Sequence, residues 1–281
     1  MENSKKLIVI LGPTASGKSE LAVKIALRLG SGRAEIVSAD SRQIYKGLNI
    51  GSGKITKKEM QGVPHHLLDV ASPKKIFTVA QYRKLAIAAI NKIQKKNKIP
   101  ILCGGTGFYI QAVVDGIVIP EVKPDWRLRK KLEKKPVKEL FRMLQKSDPR
   151  RAKNIDKNNP RRLIRALEIV IKTKKSIPAL KRNPLPYPIL MIGVKLSKKK
   201  LQERIKKRVE KMLKSGLEKE AKKFSLPIIG YQEWSLPNPE DSIIRHTIQY
   251  AKRQMTWFKR DNRIHWIKNF HQAEKLVKKF L

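Results

Sequence analysis

The feature that most constrains this chain is a glycine-rich loop set between an apolar run and an amphipathic segment. Residues 12–19 read G-x-x-x-x-G-K-S and directly follow the apolar residues 7–11. The segment after the loop carries Leu21, Ile25 and Leu29 at helical spacing. A strand, this loop and a helix in that order are typical of a phosphate-binding loop, whereas a chance glycine-rich turn requires neither flanking element.

The chemistry of such a loop is local. Its glycines let backbone N–H groups converge on an anion, and the positive end of the following helix dipole points at the same place. Lys18 adds a full charge, and Ser19 offers a hydroxyl to a metal ion such as Mg²⁺. We therefore expect a bound di- or triphosphate. The predicted phosphate-binding residues of the loop are Gly12, Pro13, Thr14, Ala15, Ser16, Gly17, Lys18 and Ser19.

Composition is compatible with a polyanionic partner but does not by itself distinguish one. The chain carries 64 basic and 23 acidic side chains, a formal net charge of +41, which suits nucleic acid. Lysines that merely solvate every exposed face would give the same total. No apolar run approaches the roughly 20 residues of a membrane helix. The N-terminal residues lack the apolar region of a signal peptide, and a single cysteine, Cys103, suits a reducing compartment, so we expect a cytoplasmic protein.

Two predicted strands after the first end in informative residues. Asp40 follows the strand at residues 34–39, and ligands of parallel sheets bind at the carboxyl ends of strands. Its carboxylate is therefore expected in the phosphate crevice, although Asp is also a common helix N-cap. The strand at 99–103 ends in glycines and a threonine, without the Asp that holds Mg²⁺ in many P-loop NTPases, which disfavours a motor or switch ATPase. His65 and His66 lack a suitably spaced third metal ligand, so hydrogen-bonded structural histidines are expected.

The order of elements predicts an α/β protein with a P-loop NTPase-like parallel sheet core and an inserted helical domain. Composition becomes helical and basic after Gly116, and apolar strands return at residues 189–194 and 264–267. We expect the first part of the core at residues 1–118 and a helical insertion at 119–188. The remainder of the core, with basic C-terminal helices, is expected at 189–281.

The last third of the chain mixes cations with aromatic residues. Arg204 and Arg208 are four residues apart and share a helix face. Residues 246–260 interleave basic and aromatic side chains, which suits stacking on bases and pairing with phosphates. An amphipathic core helix whose Trp257 and Phe258 simply pack is the alternative.

Several stretches together resemble the tRNA dimethylallyltransferases, the isopentenyl-tRNA transferase family. They run in order along nearly the whole chain: G-P-T-A-S-G-K-S at 12–19, D-S-R-Q-I-Y-K-G at 40–47, P-H-H-L-L-D at 64–69, G-G-T-G-F-Y at 104–109, R-L-I-R-A-L-E at 162–168, G-Y at 230–231 and Y-A-K-R-Q-M-T-W-F at 250–258. The phosphate loop alone is generic, but the D-S-R-Q-x-Y, G-G-T-G and K-R-Q-x-T-W elements together are specific.

The resemblance implies transfer of a dimethylallyl group from its diphosphate to N6 of adenosine 37, beside the anticodon of tRNA. The loop, of a kind usually associated with ATP and other nucleotides, would then hold a prenyl diphosphate with Mg²⁺. Asp40 is implied as the catalytic base and Thr106 as a residue that positions the reacting base, although a plain helix cap is the alternative for Thr106. Arg208 is implied as an extra diphosphate ligand.

The resemblance also implies a tRNA-binding path, with the helical insertion gripping the anticodon arm of a tRNA bound by a monomer. The implied path consists of Asp40, Ser41, Arg42, Gln43, Thr106, Arg129, Arg161, Arg162, Leu163, Ile164, Arg165, Ile228, Ile229, Gly230, Tyr231, Gln232, Glu233, Lys252, Arg253, Gln254, Met255, Thr256, Trp257, Phe258 and Lys259. The chain departs from the family pattern at Arg161, where Gln is frequent, and at Ile248, where Arg is frequent.

Two other functions are compatible with parts of the sequence. A P-loop small-molecule or nucleoside kinase shares the loop and the Asp after the second strand, but it does not need a basic aromatic C-terminal helix. A non-catalytic RNA-binding protein with a vestigial loop would bind RNA whether or not Lys18 is present.

Overall fold

The computed structural model describes residues 5–118, 122–178, 181–224 and 226–281. The chain divides into two compact units, Met1–Gly116 with Pro184–Leu281 and Ile117–Asn183. The insertion boundary predicted at residue 119 lies outside the described residues.

The larger unit is built on a six-stranded sheet in which every strand pairing is parallel. The strands are β1 (Leu7–Leu11), β2 (Ala34–Ser38), β3 (His65–His66), β4 (Ile99–Gly104), β5 (Ile189–Val194) and β6 (Ile264–Ile267). Their order is β3-β2-β4-β1-β5-β6, so β1 lies inside the sheet between β4 and β5. The predicted α/β class and P-loop NTPase-like core are confirmed.

The central strand is buried on both faces because helices cover each side of the sheet. All five residues of β1 are fully buried, and their alternate side chains enter two apolar clusters. This explains why β1 reads as a continuous apolar run rather than as an alternating pattern. The helices of this unit are α1 (Lys18–Arg28), α2 (Lys57–Met60), α3 (Val79–Lys95), α4 (Gly107–Val114), α9 (Lys198–Lys214), α10 (Leu217–Phe224), α11 (Pro239–Phe258) and α12 (Phe270–Phe280), with a short 3₁₀ helix at Gln232–Ser235.

The paired histidines are hydrogen-bonded, as expected. His65 Nδ1 lies 2.8 Å from the Val63 carbonyl oxygen, and His66 Nε2 lies 2.7 Å from a carboxylate oxygen of the buried Glu35. Burial alone would raise the pKa of Glu35, but hydrogen bonds from Lys98 and His66 lower it to about 2. In the described ranges no group of three or more His, Cys, Asp or Glu side chains is arranged to hold a metal ion.

The smaller unit is helical and has its own apolar core. Its helices are α5 (Trp126–Glu133), α6 (Val137–Ser147), α7 (Pro149–Lys153) and α8 (Pro160–Thr173). Helix α8 begins at Pro160 behind an Asn159 cap, whose side chain accepts a hydrogen bond from the Arg162 N–H. Its buried face includes Leu163 and Leu167. Across the described ranges no helix combines the length and apolarity needed to cross a bilayer.

A fully buried carboxylate anchors this unit. Glu168 accepts two hydrogen bonds from the Arg129 guanidinium, at 2.9 and 2.7 Å, and one from the Asp125 N–H at 2.6 Å, and it pairs with Arg165. Burial alone would raise its pKa, but these donors outweigh burial and lower the pKa of Glu168 to about 2.

The depressed pKa predicts that the helical unit loses stability in acid. A carboxylate held below its ordinary pKa of 4.5 contributes stability above that pH and loses it as pH falls towards about 2. The loss near pH 3 should be on the order of 2 kcal/mol, from 1.36 kcal/mol per pKa unit. Hydrogen exchange of α8, corrected for intrinsic pH dependence, should show this fall, and Glu168→Gln should show a much smaller one from a lower starting stability. Glu139→Gln, which alters a part-exposed pair with Lys135, should behave like the parent; an equal acid response of Glu168→Gln and parent would contradict the assignment.

Candidate active site

The glycine-rich loop wraps the carboxyl end of β1 and opens α1. Gly17 is the N-cap residue of α1 and has a φ of +93°, a left-handed conformation that suits glycine. At Gly12 an added Cβ would lie 2.9 Å from Ser16 Oγ and 3.1 Å from the Val194 carbonyl oxygen, so the tight turn excludes a side chain. Ser16 Oγ is buried, and the described residues give it no hydrogen-bond partner. The loop is therefore shaped for close approach of backbone groups and one hydroxyl to an anion.

Lys18 lies within the site, close to charges of both signs. Its Nζ donates to the Pro13 carbonyl oxygen at 3.4 Å. Desolvation lowers the pKa of Lys18, as does the nearby Arg208 cation, while the negative charge of Asp40 opposes that shift. The ammonium group is thus on a partly buried side chain and lies near both a carboxylate and a second cation.

Two guanidinium groups of α9 reach the loop region. Arg204 donates to the Ser16 carbonyl oxygen at 3.1 Å, and Arg208 donates to the Ser52 carbonyl oxygen at 3.4 Å. Burial lowers the pKa of Arg208, while the carboxylates of Asp40 and Glu59 oppose that shift. The helical spacing of the two arginines signalled a shared face, but sequence reasoning selected only Arg208 as a ligand and missed Arg204.

Asp40 closes a turn rather than capping a helix. One carboxylate oxygen, Oδ1, accepts the Arg42 N–H at 2.8 Å and the Gln43 N–H at 3.4 Å, and residues 41–44 form turns. The negative charge of Asp40 raises the pKa of both Lys18 and Arg208, so the carboxylate lies near the two cations of the predicted phosphate site.

Thr106 links the end of β4 to the Asp40 turn. It occupies the N-cap position of α4, but its side chain makes no capping hydrogen bond. Instead Oγ1 accepts the Ser41 N–H at 2.9 Å and lies 3.3 Å from Ser41 Oγ. The plain-cap interpretation of the Thr106 side chain is therefore wrong, and the hydroxyl belongs to the turn that carries Asp40.

Tyr250 of α11 is a site residue that sequence reasoning missed. Burial raises the pKa of its hydroxyl to about 12, with the Asp40 charge acting in the same direction and the nearby Thr106 hydroxyl opposing the rise. The Arg253 guanidinium lies 5.8 Å from the centroid of its ring. Tyr250 opens the Y-A-K-R-Q-M-T-W-F stretch at 250–258, but that pattern did not mark it as a site residue.

Gln254 is buried and connects two loops of the site. Its Oε1 accepts the Thr14 N–H at 2.9 Å, and its Nε2 donates to the Gly105 carbonyl oxygen at 2.8 Å. At Gly105 an added Cβ would lie 2.5 Å from that same Nε2. The side chain therefore holds the phosphate loop against the end of β4. Because Gln254 is buried, its predicted role on the tRNA path would be to support neighbouring exposed residues of α11.

The residues predicted at 228–233 are mostly buried. The Tyr231 hydroxyl donates to Glu220 at 2.5 Å, and Glu220 in turn accepts the N–H groups of residues 49–51. Glu233 is fully buried, accepts the Gly230 N–H at 2.8 Å and lies 2.7 Å from His246 Nδ1. Gln232 alone of this stretch has an exposed side chain, and Ile229 is partly exposed.

The predicted residues at 252–259, in α11 and at its C-cap, are either at least partly buried or exposed. Gln254 and Phe258 are buried, Met255 and Trp257 are partly buried, and the remaining side chains are exposed. The exposed group comprises Lys252, Arg253, Thr256 and Lys259. Both interpretations of this helix therefore apply, since one face packs in the core and the other presents cations.

Within the helical unit, the predicted arginines also divide. Arg161 and Arg162 are exposed in the first turn of α8. Arg129 and Arg165 are committed to the buried Glu168. Leu163 and Ile164 lie in the apolar core, so their side chains support the helix rather than face solvent.

This geometry defines a class of protein. A glycine-rich loop lies at the end of a central parallel strand, a carboxylate lies near its cations, and a helix face presents further cations. Together these features indicate an α/β enzyme that transfers a group from a phosphorylated donor.

Comparisons with known proteins agree on one family. The model of the family described as IPP transferase matches residues 43–261. A tRNA dimethylallyltransferase of Acetivibrio thermocellus is 38% identical, covering 97% of this chain and 95% of its own length. One of Trichormus variabilis is 42% identical, with 93% of each chain covered. The chain belongs to the IPP transferase family and is a prenyltransferase, which confirms the resemblance.

Solved structures agree with this assignment. The full-length tRNA isopentenylpyrophosphate transferase from Bacillus halodurans is similar with a TM-score of 0.71 and 37% identity, over 98% of this chain and 95% of that one. A eukaryotic dimethylallyltransferase acting on tRNA gives a TM-score of 0.80 at 28% identity, over 99% of this chain and 77% of that one.

Proposed function

We propose that this chain transfers a dimethylallyl group from dimethylallyl diphosphate to N6 of adenosine 37 in tRNA. The observation that carries the proposal is the placement of the Asp40 carboxylate beside Lys18 and Arg208. A proton acceptor and the cations that would hold a departing diphosphate then share one crevice. In the overall reaction the N6–C1 bond forms, the C1–O bond breaks, and the N6 proton leaves.

The donor half of the reaction is assigned to the phosphate loop. Backbone N–H groups of the loop, the start of α1, Lys18 and Arg208 would hold the diphosphate and stabilise the charge that it gains as the allylic carbon departs. Arg204, which contacts the Ser16 carbonyl oxygen, would fix the back of the loop. Ser16 Oγ, which is buried without a hydrogen-bond partner among the described residues, is available to donate to the diphosphate.

The residues present fit a Mg²⁺ ion that accompanies the diphosphate. Ser19, in the first turn of α1, would provide one hard oxygen ligand beside Lys18. Few protein ligands are needed, because Mg²⁺ usually keeps several waters and binds substrate phosphates. The ion would supply charge neutralisation at the diphosphate.

The acceptor half is assigned to Asp40 and Thr106. The exocyclic amine of adenine is a poor nucleophile, so a carboxylate that takes its proton helps the attack. Asp40 keeps Oδ2 for that proton, since both hydrogen bonds of the turn fall on Oδ1. Thr106 would position the base, and its own hydroxyl is oriented by the N–H and the hydroxyl of Ser41.

The tRNA path is proposed in both units. In the larger unit it would use Arg42 and the exposed cations of α11, with buried neighbours such as Gln254 supporting them. The helical unit would grip the anticodon arm, and Arg161 and Arg162 would be its contacts. The protein is proposed to act as a monomer in the cytoplasm.

Mass spectrometry of nucleosides tests this function. Transfer RNA incubated with the protein, Mg²⁺ and dimethylallyl diphosphate should yield N6-(dimethylallyl)adenosine after digestion. Thermal shift separates the kinase alternative, since dimethylallyl diphosphate should stabilise the protein more than ATP does. Stabilisation by ATP alone, with no prenylated nucleoside, would contradict the proposal.

The salt dependence of tRNA affinity should show which cations contact the phosphates of the tRNA. Arg161→Ala and Arg162→Ala should each weaken tRNA binding and make the decline of log K with log salt shallower by about one charge. They are better probes than Arg165→Ala, which would also remove one of the cations paired with the buried Glu168. Binding titrations at several salt concentrations give the slope, with Lys146→Ala, an exposed cation of α6, as the control. Affinity that does not change with ionic strength would show that the net charge plays no part in binding.

A further inference from the structure

An exposed aromatic side chain stands at the mouth of the proposed site. Phe108 is 40% exposed, whereas the next residues of α4, Tyr109 and Ile110, are buried. It lies two residues after Thr106, at the start of α4. A single exposed apolar side chain is common on protein surfaces, so what distinguishes Phe108 is the set of residues around it.

The Phe108 ring is held in place by a second aromatic residue. Phe108 and Trp257 meet edge to face, with centroids 6.3 Å apart and planes 70° apart. The indole of Trp257 lies directly over Gly107, where an added Cβ would be 2.3 Å from Cδ1. The aromatic pair is therefore fixed by the same segment, residues 105–107, that carries Thr106.

Exposed cations flank this pair, and the nearby anion is Asp40, on the turn that Thr106 binds. Arg42 is exposed on the same turn as Ser41, whose N–H binds Thr106, and Arg253 and Lys252 are exposed on α11 about one turn before Trp257. The acidic residues near the C-terminal ends of α4 and α11, Asp115 and Asp261, are paired with Arg263. An exposed ring flanked by cations is suited to a nucleobase together with its phosphates.

We propose that Phe108 stacks on an unpaired nucleotide adjacent to the target adenosine, and so holds the RNA chain while the target base enters the site. The proposal rests on the proposed function, because that function supplies the target base. The ring would bind any neighbouring base, since stacking on a π-face tolerates different sequences. Phe108 is therefore a binding residue for the acceptor RNA, not for the diphosphate.

A binding experiment without donor tests the stacking. The affinity of anticodon stem-loops is measured for the parent, Phe108→Leu, which keeps apolar volume but has no ring, and Phe108→Tyr, which keeps the ring. Leu27→Ala, which truncates an exposed apolar side chain near the end of α1, is the control. We expect Phe108→Leu to bind about tenfold more weakly, near the lower end of the range for base–aromatic stacking, and the other two variants to bind like the parent.

Stem-loops with an abasic nucleotide on one side of the target adenosine identify the stacked base. The effect of Phe108→Leu should vanish for one of the two abasic RNAs and persist for the other. Unchanged affinity of Phe108→Leu, or an equal loss on intact and both abasic RNAs, would overturn the proposal. So would a change confined to the KM for dimethylallyl diphosphate, which would place the ring against the prenyl group. Because binding is measured without transfer, a failure of the enzymatic function would appear separately, as absence of prenylated nucleoside.

Discussion

Replacing Lys18 with alanine is expected to reduce prenyl transfer by at least about 10²–10³-fold, the loss typical of removing one preorganised oxyanion donor. Lys18 is the loop's full charge and lies within the site beside Asp40 and Arg208. Its loss leaves the charge of the departing diphosphate less neutralised. Affinity for tRNA should stay within a few-fold, because cations on other elements hold the RNA. Single-turnover transfer and equilibrium RNA binding measure the two quantities.

Two further variants sharpen this test. Lys18→Met keeps most of the side-chain volume and should be as inactive as Lys18→Ala, which separates charge from packing. Lys24→Ala removes an exposed lysine of the same helix, paired with Glu20, and should be fully active. If Lys18→Ala lost RNA binding together with activity, the proposed division between a diphosphate site and an RNA surface would be wrong.

Replacing Asp40 with asparagine is expected to slow the chemical step by about 10²–10⁴-fold, the usual loss when a general base is removed. Asparagine keeps Oδ1, which accepts the Arg42 and Gln43 N–H groups, so the turn and the fold should persist. It cannot take the amine proton. Affinity for dimethylallyl diphosphate should be unchanged or slightly tighter, because a negative charge facing Lys18 and Arg208 is removed.

The alternative role of Asp40, closing a turn, predicts the opposite result. A purely structural Asp should tolerate Asn with almost full activity, since both residues form such turns. Asp156, whose Oδ1 accepts the Asn158 N–H at 3.1 Å, forms the same kind of turn in the helical unit. Asp156→Asn is therefore the matched control and should leave the rate unchanged. Single-turnover transfer at saturating protein isolates chemistry from product release; a rate for Asp40→Asn within about threefold of the parent, well short of the expected loss, would remove Asp40 from the catalytic residues.

The parts of the site that sequence predicted are those encoded locally. The loop at 12–19, the helix after it and the Asp at the end of β2 need only neighbouring residues and the rule that parallel strands place ligands at their carboxyl ends. The same is true of the fold class, because apolar runs such as 7–11 and 189–194 read as buried strands. Strand β3 was missed because two histidines carry no apolar pattern.

The parts that sequence could not give depend on contacts between distant segments. Nothing local shows that Gln254 joins Thr14 to Gly105 or that Tyr250 meets Thr106. Arg165 has the composition of a phosphate contact, yet α8 turns it onto Glu168 three residues later. The hydrogen bond between the buried Tyr231 and Glu220 of α10 likewise joins two segments that sequence alone does not bring together.

The proposed reaction forms one bond, between N6 of the target adenosine and C1 of the prenyl group, in the crevice that would hold the diphosphate. The direct measurement uses a stem-loop labelled with ¹⁵N at that amine and dimethylallyl diphosphate labelled with ¹³C at C1, followed by NMR of the product. The account predicts direct coupling between the two labels, with one diphosphate released for each prenylated RNA. An unmodified amine with phosphate transferred from ATP, or a prenyl group attached to a different atom of the RNA, would contradict it.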